Sequence, residues 1–460
     1  MQKAIGRLWT CTTLLASVCL TIFGLALSVL AAERIFPSYA SVKPVLDGQK
    51  DRLPAELKNA DEAKWNAWSR QQDKAIRARL EQGDLDSMVN LLLFGTSFTK
   101  QPRIVVENIT QASKSGLLRA RVDDLIGGLQ NPGNNERLVF VASLLRRLSV
   151  ASDPGRFIYA NLQRVLQERR DLAQRAANAR QESQSVLDRS SLFRDRGVSL
   201  DTSILPDFAI EQTLRDLKRR GILQEGQISR VGVIGPGLDF SDKNEESSYD
   251  YYPQQTVQPF AVYDSLIRLG LAAPGGLSLS VLDISMRVLD HVRRARERAG
   301  RNAGYVIQLP RDVARPWPPD LVAYWRSLGD QVGATVRAID PPKVFHGLET
   351  RAIEVRPNVV LACEAVDLDI VLERLSLPQP GAFDLLIGTN IFLYYDTFQQ
   401  TLALENIGAM LKPGGILLTN DKLPEVLSGS MHQAGMTVVP YNGGDASARE
   451  AIGWYQKANR

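Results

Sequence analysis

Short apolar runs punctuate the second half of the chain, and stretches near the helical period fill the spaces between them. The runs are Val231 to Ile234, Leu277 to Leu282, Val359 to Ala362, Leu385 to Ile387 and Ile416 to Leu418. Runs this short between turn residues read as buried strands, and their alternation with helices predicts a parallel sheet covered on both faces. Two further runs, Met436 to Pro440 and Ala451 to Gln456, flank the turn-rich Asn442-Gly443-Gly444-Asp445 and predict a hairpin at the sheet edge.

The first half is patterned differently. Ala63 to Glu81, Gly116 to Leu129 and Glu136 to Leu148 alternate apolar and charged residues at the helical period. Pro154-Gly155 opens a longer amphipathic stretch, Arg156 to about Leu187. It has no sustained heptad seam, so a helix packed on its own domain is expected rather than a coiled coil. Asp207 to Arg220 is a further helical segment. The expected organisation is a leader over 1–32, a linker over 33–56 with scattered prolines (Pro37, Pro44, Pro54), an all-helical domain over 57–226 and an α/β domain over 227–460.

The leader changes the picture of location. Lys3 and Arg7 precede an almost uncharged run from Leu8 to Ala32 that ends in small residues. It reads as an export signal cleaved near Ala31 or Ala32, or as a membrane anchor, because its length of about 25 residues exceeds the roughly 7 to 15 of a signal core and is enough to span a bilayer. Lys and Arg are more numerous after it (Arg34, Lys43, Lys50, Arg52) than before it, which leaves the orientation open. Cys11 and Cys19 lie inside the leader, so only Cys363 remains beyond it, and it reads as a small buried residue.

A length of 460 residues with 44% hydrophobic content accommodates two globular parts, and a net charge of +4 without a basic, aromatic-interleaved patch argues against nucleic acid. His291, His346 and His432 are isolated, no HxxxH or CxxC spacing occurs, and a GxSxG elbow is absent. These absences weigh against metal-centred and serine-hydrolase chemistry.

The candidate chemistry gathers at the ends of the expected strands. The first ends in Gly235-Pro236-Gly237-Leu238-Asp239, where glycines permit close backbone approach to a ligand. The second ends in Asp283-Ile284-Ser285. An acidic residue there either accepts hydrogen bonds from a ribose diol or caps the following helix. The third is followed by Cys363-Glu364-Ala365-Val366-Asp367, and the fourth by Gly388-Thr389-Asn390 with the aromatic Tyr394-Tyr395 close behind.

The stretch from Phe383 to Asp421, a strand, a helix and the turn Lys412-Pro413-Gly414-Gly415 into a second strand, resembles the fourth and fifth strands of class I S-adenosylmethionine-dependent methyltransferases. The resemblance extends over about residues 227 to 458 and implies a Rossmann-like seven-stranded domain closed by a hairpin. It implies S-adenosyl-L-methionine as cofactor, held by Gly235, Gly237, Asp239, Asp283, Ile284, Glu364, Ala365, Thr389 and Asn390. Asp283 takes the ribose position, Glu364 and Ala365 the adenine position, with Asp367 as competitor. Asp239 stands where the family has a third glycine and is expected to meet the cofactor's ammonium group. The loop after strand four looks most like that of chemotaxis-receptor glutamate methyltransferases, but Thr389 replaces their arginine, so that acceptor does not carry over.

Methyl transfer to a small-molecule or protein acceptor is therefore the expected activity. Asn390, Tyr394 and Tyr395 are candidates for flanking the acceptor, and Asp239 and the tyrosines of the insertion 241–262 (Tyr249, Tyr251, Tyr252) are candidates for a base. This insertion, which also carries Glu245 and Glu246, and a second, 304–346, carrying Arg315, Trp317, Tyr324 and Trp325, are expected to recognise the acceptor. The alternative is a catalytically silent envelope protein using the fold for binding or assembly. A nicotinamide dehydrogenase fits less well: the GxGxxG is incomplete and the expected terminal hairpin is unexplained by it; the first insertion also puts Asp283 about 46 residues beyond Gly237, against roughly 20 in a compact dinucleotide fingerprint.

Overall fold

The computed structural model describes residues 33–104, 109–150, 152–178, 204–239, 250–313, 316–341, 343, 347–378, 381–424, 430–441 and 449–458. The leader through Ala32, the insertion residues Glu245, Glu246 and Tyr249, Arg315, His346, the turn Asn442-Gly443-Gly444-Asp445 and the helix reading beyond Asn178 lie outside these. Among the described residues no helix is long and apolar enough to cross a membrane.

Residues 33–56, expected as a linker, are built into the body instead. Strand β1 (Glu33–Ile35) pairs antiparallel with β8 (Arg374–Ser376). Ser38 then caps α1 (Tyr39–Gly48), its side chain accepting from the Ser41 amide. The prolines suggested a linker, yet Val42, Val45 and Leu46 recur at helical spacing and are buried, which outweighs the one hydrogen bond that Pro44 removes.

Asp61 caps α2 (Glu62–Phe94), whose 33 residues outrun the amphipathic pattern that ended at Glu81. The pattern fades because Met88 to Phe94 is buried on every side. That end packs with α3 (Ile109–Lys114), α4 (Leu117–Gln130), α5 (Glu136–Arg147) and α6 (Pro154–Asn178) around Leu125, Val141 and Ile158. The other end of α2 belongs to a different core: Trp65, Trp68 and Ile76 pack beneath the α/β sheet with Phe398 and Leu402.

Helix α7 (Ile204–Arg219), which the sequence grouped with the helical domain, packs on the sheet core. The sheet is β2 (Arg230–Ile234), β3 (Ser278–Asp283), β7 (Cys363–Asp367), β9 (Phe383–Gly388), β10 (Leu411–Thr419), β11 (Met431–Pro440) and β12 (Arg449–Lys457). Their order is β11-β12-β10-β9-β2-β3-β7, parallel from β10 to β7, with β12 antiparallel to both β10 and β11. A seven-stranded sheet closed by a hairpin edge is what the resemblance implied.

Period-two alternation divides the side chains between two faces. Val231, Val233, Leu279, Val281, Leu385 and Ile387 face α7, α8 (Gln258–Arg268) and α9 (Met286–Gly300). Ile234, Leu282, Leu386 and Leu417 face the start of α2 and α12 (Thr397–Met410), which opens with an Asp396–Gln399 capping box.

Two expectations are corrected here. Val359 to Ala362, expected as the third strand, is largely helix α11 (Pro357–Leu361), and the strand itself begins at Cys363. Pro357 at the first helical position has the fixed φ that a helix start requires, and this overrides the β-branched run. The insertion 304–346 is no mere recognition loop. Most of its described residues form β4 (Tyr305–Asp312), α10 (Pro319–Ser327) and β5 (Gly333–Val336), with β6 (Leu348–Val355) completing a small antiparallel sheet of order β4-β6-β5. Tyr324 and Trp325 are buried in its junction with the main core, and Trp325 Nε1 donates to the Leu309 carbonyl.

The N-terminal arm is tied to the sheet by charge. Arg34 reaches Asp367 at 2.7 Å and Glu373 at 3.3 Å, and Arg77 of α2 reaches the same two carboxylates at 2.8 and 3.3 Å. Arg77→Ala leaves the buried Glu373 carboxylate with the exposed Arg34 as its cationic partner. The expected cost is about 2 kcal/mol, read as a lower chemical-denaturation midpoint. An unchanged midpoint would mean that this network does not stabilise the arm.

Candidate functional site

Strand β2 delivers the chain into a tight crossover in which Gly235 (φ 61°) and Gly237 (φ 69°) occupy the left-handed region. A Cβ on Gly235 would lie 2.2 Å from Ile391 Cδ1, so space as well as φ demands glycine there. The next strand end places Asp283 beside this crossover. Its Oδ1 accepts from the Ser285 amide at 2.8 Å, and Ser285, not Asp283, stands at the helix cap. Burial pushes the Asp283 carboxyl up to about 7.

Gly235, Gly237, Asp283 and Ile284 line one cavity together with Leu368, Ile370, Ile391, Tyr394 and Tyr395. Its volume is about 40 Å³. Tyr394 and Tyr395 are buried, and the Tyr395 ring lies 6.0 Å from the Arg79 guanidinium carbon; burial raises the Tyr395 phenol.

Other expected residues are placed elsewhere. Glu364 sits within β7 opposite Ser280, exposed and short of the strand end, and Ala365 lies opposite Val281. Because the strand begins four residues later than the sequence suggested, Asp367 takes the terminal position, opposite Asp283, and there it binds Arg34 and Arg77. Asp369, two residues on, is buried; burial pushes it up to about 7, and its Oδ2 has no hydrogen-bond partner.

Asp239 does not reach the cavity. It is buried and accepts from the Tyr252 hydroxyl at 2.6 Å and from Gln255 Nε2 at 3.1 Å. Gln255 in turn exchanges hydrogen bonds with the Gln308 backbone on β4, and Arg137 of α5 donates to the Tyr252 and Asp239 carbonyls. Tyr252, its phenol raised by burial and by Asp239, is a fixed donor in this brace rather than a base. Tyr251 pairs with the Thr350 hydroxyl.

The loop after β9 is held by residues that the sequence reading did not single out. Thr389 Oγ1 accepts from Gln258 Nε2 at 3.0 Å. Asn390 has φ 58° and exchanges two hydrogen bonds with the Asn420 side chain, at 2.8 and 2.9 Å. The Ile391 and Phe392 amides donate to Asp421 Oδ2 at 3.1 and 2.9 Å, and burial pushes Asp421 up to about 6. Asn420 and Asp421 directly follow β10, and a polar pair at a strand's carboxyl end was the signal available in the sequence.

Cys363 is buried as expected, and burial pushes its thiol up to about 12. His291 is buried with Nε2 2.8 Å from the Tyr305 hydroxyl, and burial, aided by neighbouring arginines, lowers it to about 3. It is neutral at physiological pH.

No family model and no curated protein matches the sequence. Among solved structures the chain is similar to the N-methyltransferase NodS from Bradyrhizobium japonicum WM9, with 13% identity over 55% of this chain and 99% of that chain and a TM-score of 0.26. It is also similar to the glycopeptide N-methyltransferase MtfA complexed with S-adenosyl-L-methionine, with 9% identity over 56% and 96% of the two chains and a TM-score of 0.26. A third similarity is to MtNAS in complex with MTA and tNA, with 12% identity over 84% and 97% of the two chains and a TM-score of 0.24.

Proposed function

We propose that the chain is an S-adenosyl-L-methionine-dependent methyltransferase acting on a small-molecule or protein acceptor. The observation that carries this reading is the Asp283 carboxylate, buried at the end of β3 beside the Gly235 crossover and taking hydrogen bonds from backbone amides. A carboxylate in that position suits the two hydroxyls of a ribose. Leu368 and Ile370 would provide apolar walls for the base, and the absence of a Cβ at Gly235 leaves backbone open to the ligand.

The residues fit the cofactor chemically, but a space of about 40 Å³ has room for little more than one water. Ile391, Tyr394 and Tyr395 must therefore move outward on binding. The hydrogen bonds to Asn420 and Asp421 are the latch they would release. When bound, the cofactor supplies a methyl group already activated by its sulfonium. The chain's own part is to hold the acceptor in line and exclude water once the Tyr394-Tyr395 segment closes again. Asp239 and Tyr252 are engaged in their brace, which leaves Asn390, Tyr394 and Tyr395 as the groups that would orient an acceptor. In this reading the apolar segment through Ala32 tethers the enzyme to a membrane, and the cofactor requirement favours the cytosolic side for the catalytic part.

Calorimetric titration of the full-length chain with S-adenosylmethionine and S-adenosylhomocysteine is expected to give micromolar binding, with S-adenosylhomocysteine as the product released on turnover. No heat from a folded sample would leave the fold as a silent binding or assembly module. Methylthioadenosine as the released product would overturn methyl transfer in favour of moving another substituent of the sulfonium.

A further inference from the structure

The strand-end cavity takes up the carboxyl ends of β2 and β3 and the segment after β7. The ends of β9, β10 and β11 lie on the other side of β2 and carry a second group of polar side chains. Asn390 follows β9, Asn420 follows β10, and Tyr441 follows β11, which runs parallel to β10 because both oppose β12. Glu450, near the start of β12 and opposite Val439, comes to the same edge. These residues form one hydrogen-bonded chain. Asn420 Nδ2 donates to Asn390 Oδ1 at 2.9 Å and to Glu450 Oε1 at 3.1 Å, and the Tyr441 hydroxyl donates to Glu450 Oε2 at 3.0 Å. In open α/β sheets this edge is where ligands bind.

The charge here is one-sided. Glu450 is half-buried, and its two oxygens are held by neutral donors. On the inner side stands Asp207, in the first turn of α7, 2% exposed and with neither oxygen given a hydrogen-bond partner. Burial, then Glu450 and Asp207, raise the Tyr441 phenol, so both carboxylates lie within electrostatic range of that one side chain. Gln258, the side chain that relieves Asp207, gives its amide to Thr389 in the loop that carries Asn390. Asp421, next to Asn420, is a third carboxylate within range of Glu450. None of the three makes an ion pair among the described residues. A buried carboxyl oxygen without a donor costs about 1–3 kcal/mol.

We infer that the acceptor is a primary amine, bound as its ammonium to Glu450 beside Asn390, with Asp207 as the inner countercharge. This rests on the methyltransferase reading and gives that site its substrate class. A carboxylate or phosphate acceptor would meet three carboxylates that no ion pair neutralises. Transfer needs the nitrogen lone pair, so one ammonium proton passes to Glu450 first. The N–C bond then forms as the C–S bond breaks and the sulfur keeps that electron pair, leaving S-adenosylhomocysteine and an N-methylammonium product.

The test is calorimetry of the full-length chain at about pH 8.5, where Asp207, raised to about 8, is ionised and an aliphatic amine keeps its proton. Cadaverine, the uncharged pentanediol of the same length and the oppositely charged glutarate are each titrated with and without saturating S-adenosylhomocysteine. Cadaverine is expected to bind the S-adenosylhomocysteine complex, with both controls at least about tenfold weaker. Glu450→Gln is expected to keep its affinity for S-adenosylhomocysteine, which shows it folded, and to weaken cadaverine about tenfold. Asp207→Asn is expected to weaken cadaverine about threefold. An S-adenosylhomocysteine complex that ignores cadaverine at about 10 mM would overturn the amine assignment and leave the cofactor reading standing. Cadaverine binding by a folded chain that ignores S-adenosylhomocysteine would do the reverse. Glutarate binding as tight as that of cadaverine, or parental cadaverine affinity in Glu450→Gln, would also overturn the assignment.

Discussion

Asp283→Ala is expected to weaken S-adenosylmethionine binding by a factor of about 100 or more while the protein melts no lower than the parent at pH 8. Two charge-assisted hydrogen bonds to the ribose diol would be lost, each worth about 1.5–3 kcal/mol. Stability moves the other way. Burial raises the Asp283 carboxyl to about 7 in the folded chain. A carboxyl raised on folding contributes stability that is full below its unfolded value of about 4 and is lost as pH climbs through the folded one. At pH 8 the native residue is an ionised group in a dry site, and alanine removes that cost. Binding by the parent should strengthen from pH 6 to 8 as the carboxylate ionises. Full affinity in the variant would remove Asp283 from the cofactor site.

A second large effect is expected at Asp207. The residue is 2% exposed in the first turn of α7, and burial, relieved in part by the Gln258 side chain, pushes its carboxyl up to about 8. Its contribution to stability is therefore present below about pH 4 and is lost progressively up to about pH 8, beyond which it levels off. Asp283, Asp369 and Asp421 are shifted in the same direction, so the parent should be more stable at pH 5.5 than at pH 8. Asp207→Asn cannot ionise. It should remove about 2–3 kcal/mol of that decline, at about 1.4 kcal/mol per pH unit over the two units approaching the folded value. Parallel pH profiles of parent and variant in chemical denaturation would refute the assignment.

Much of the α/β half was legible because its code is local. The apolar runs at 231, 277, 385 and 416 became β2, β3, β9 and β10, and Gly235, Gly237 and Asp283 fell at strand ends where the sequence placed them. The misplacements share a cause: the deciding contact is distant in sequence. Glu364 was favoured because Val359 to Ala362 reads as strand, and one proline at 357 moved the strand end to Asp367. Asp239 was read from its place beside two glycines, whereas Tyr252 and Gln255, within the insertion, hold it inward. The arm at 33–56 gained its structure from partners more than 300 residues away, Asp367 and Glu373. Asn420 and Asp421 act on a loop about 30 residues earlier, and neither residue announces this by its type.

Helix α2 has one end seated under the sheet by the stacked Trp65 and Trp68 and the other sealed into the helical core by Met88 to Phe94. A continuous helix of 33 residues is a rod about 50 Å long. It works as a lever: a tilt of about 5° at the tryptophan seat would carry the far end through about 4 Å at that length. Helix α5, which grips the loop after β2 through Arg137, rides on that far end. The position of α5 against the loop after β2 is thus set from the opposite face of the sheet, by two indole rings that do not line the cavity.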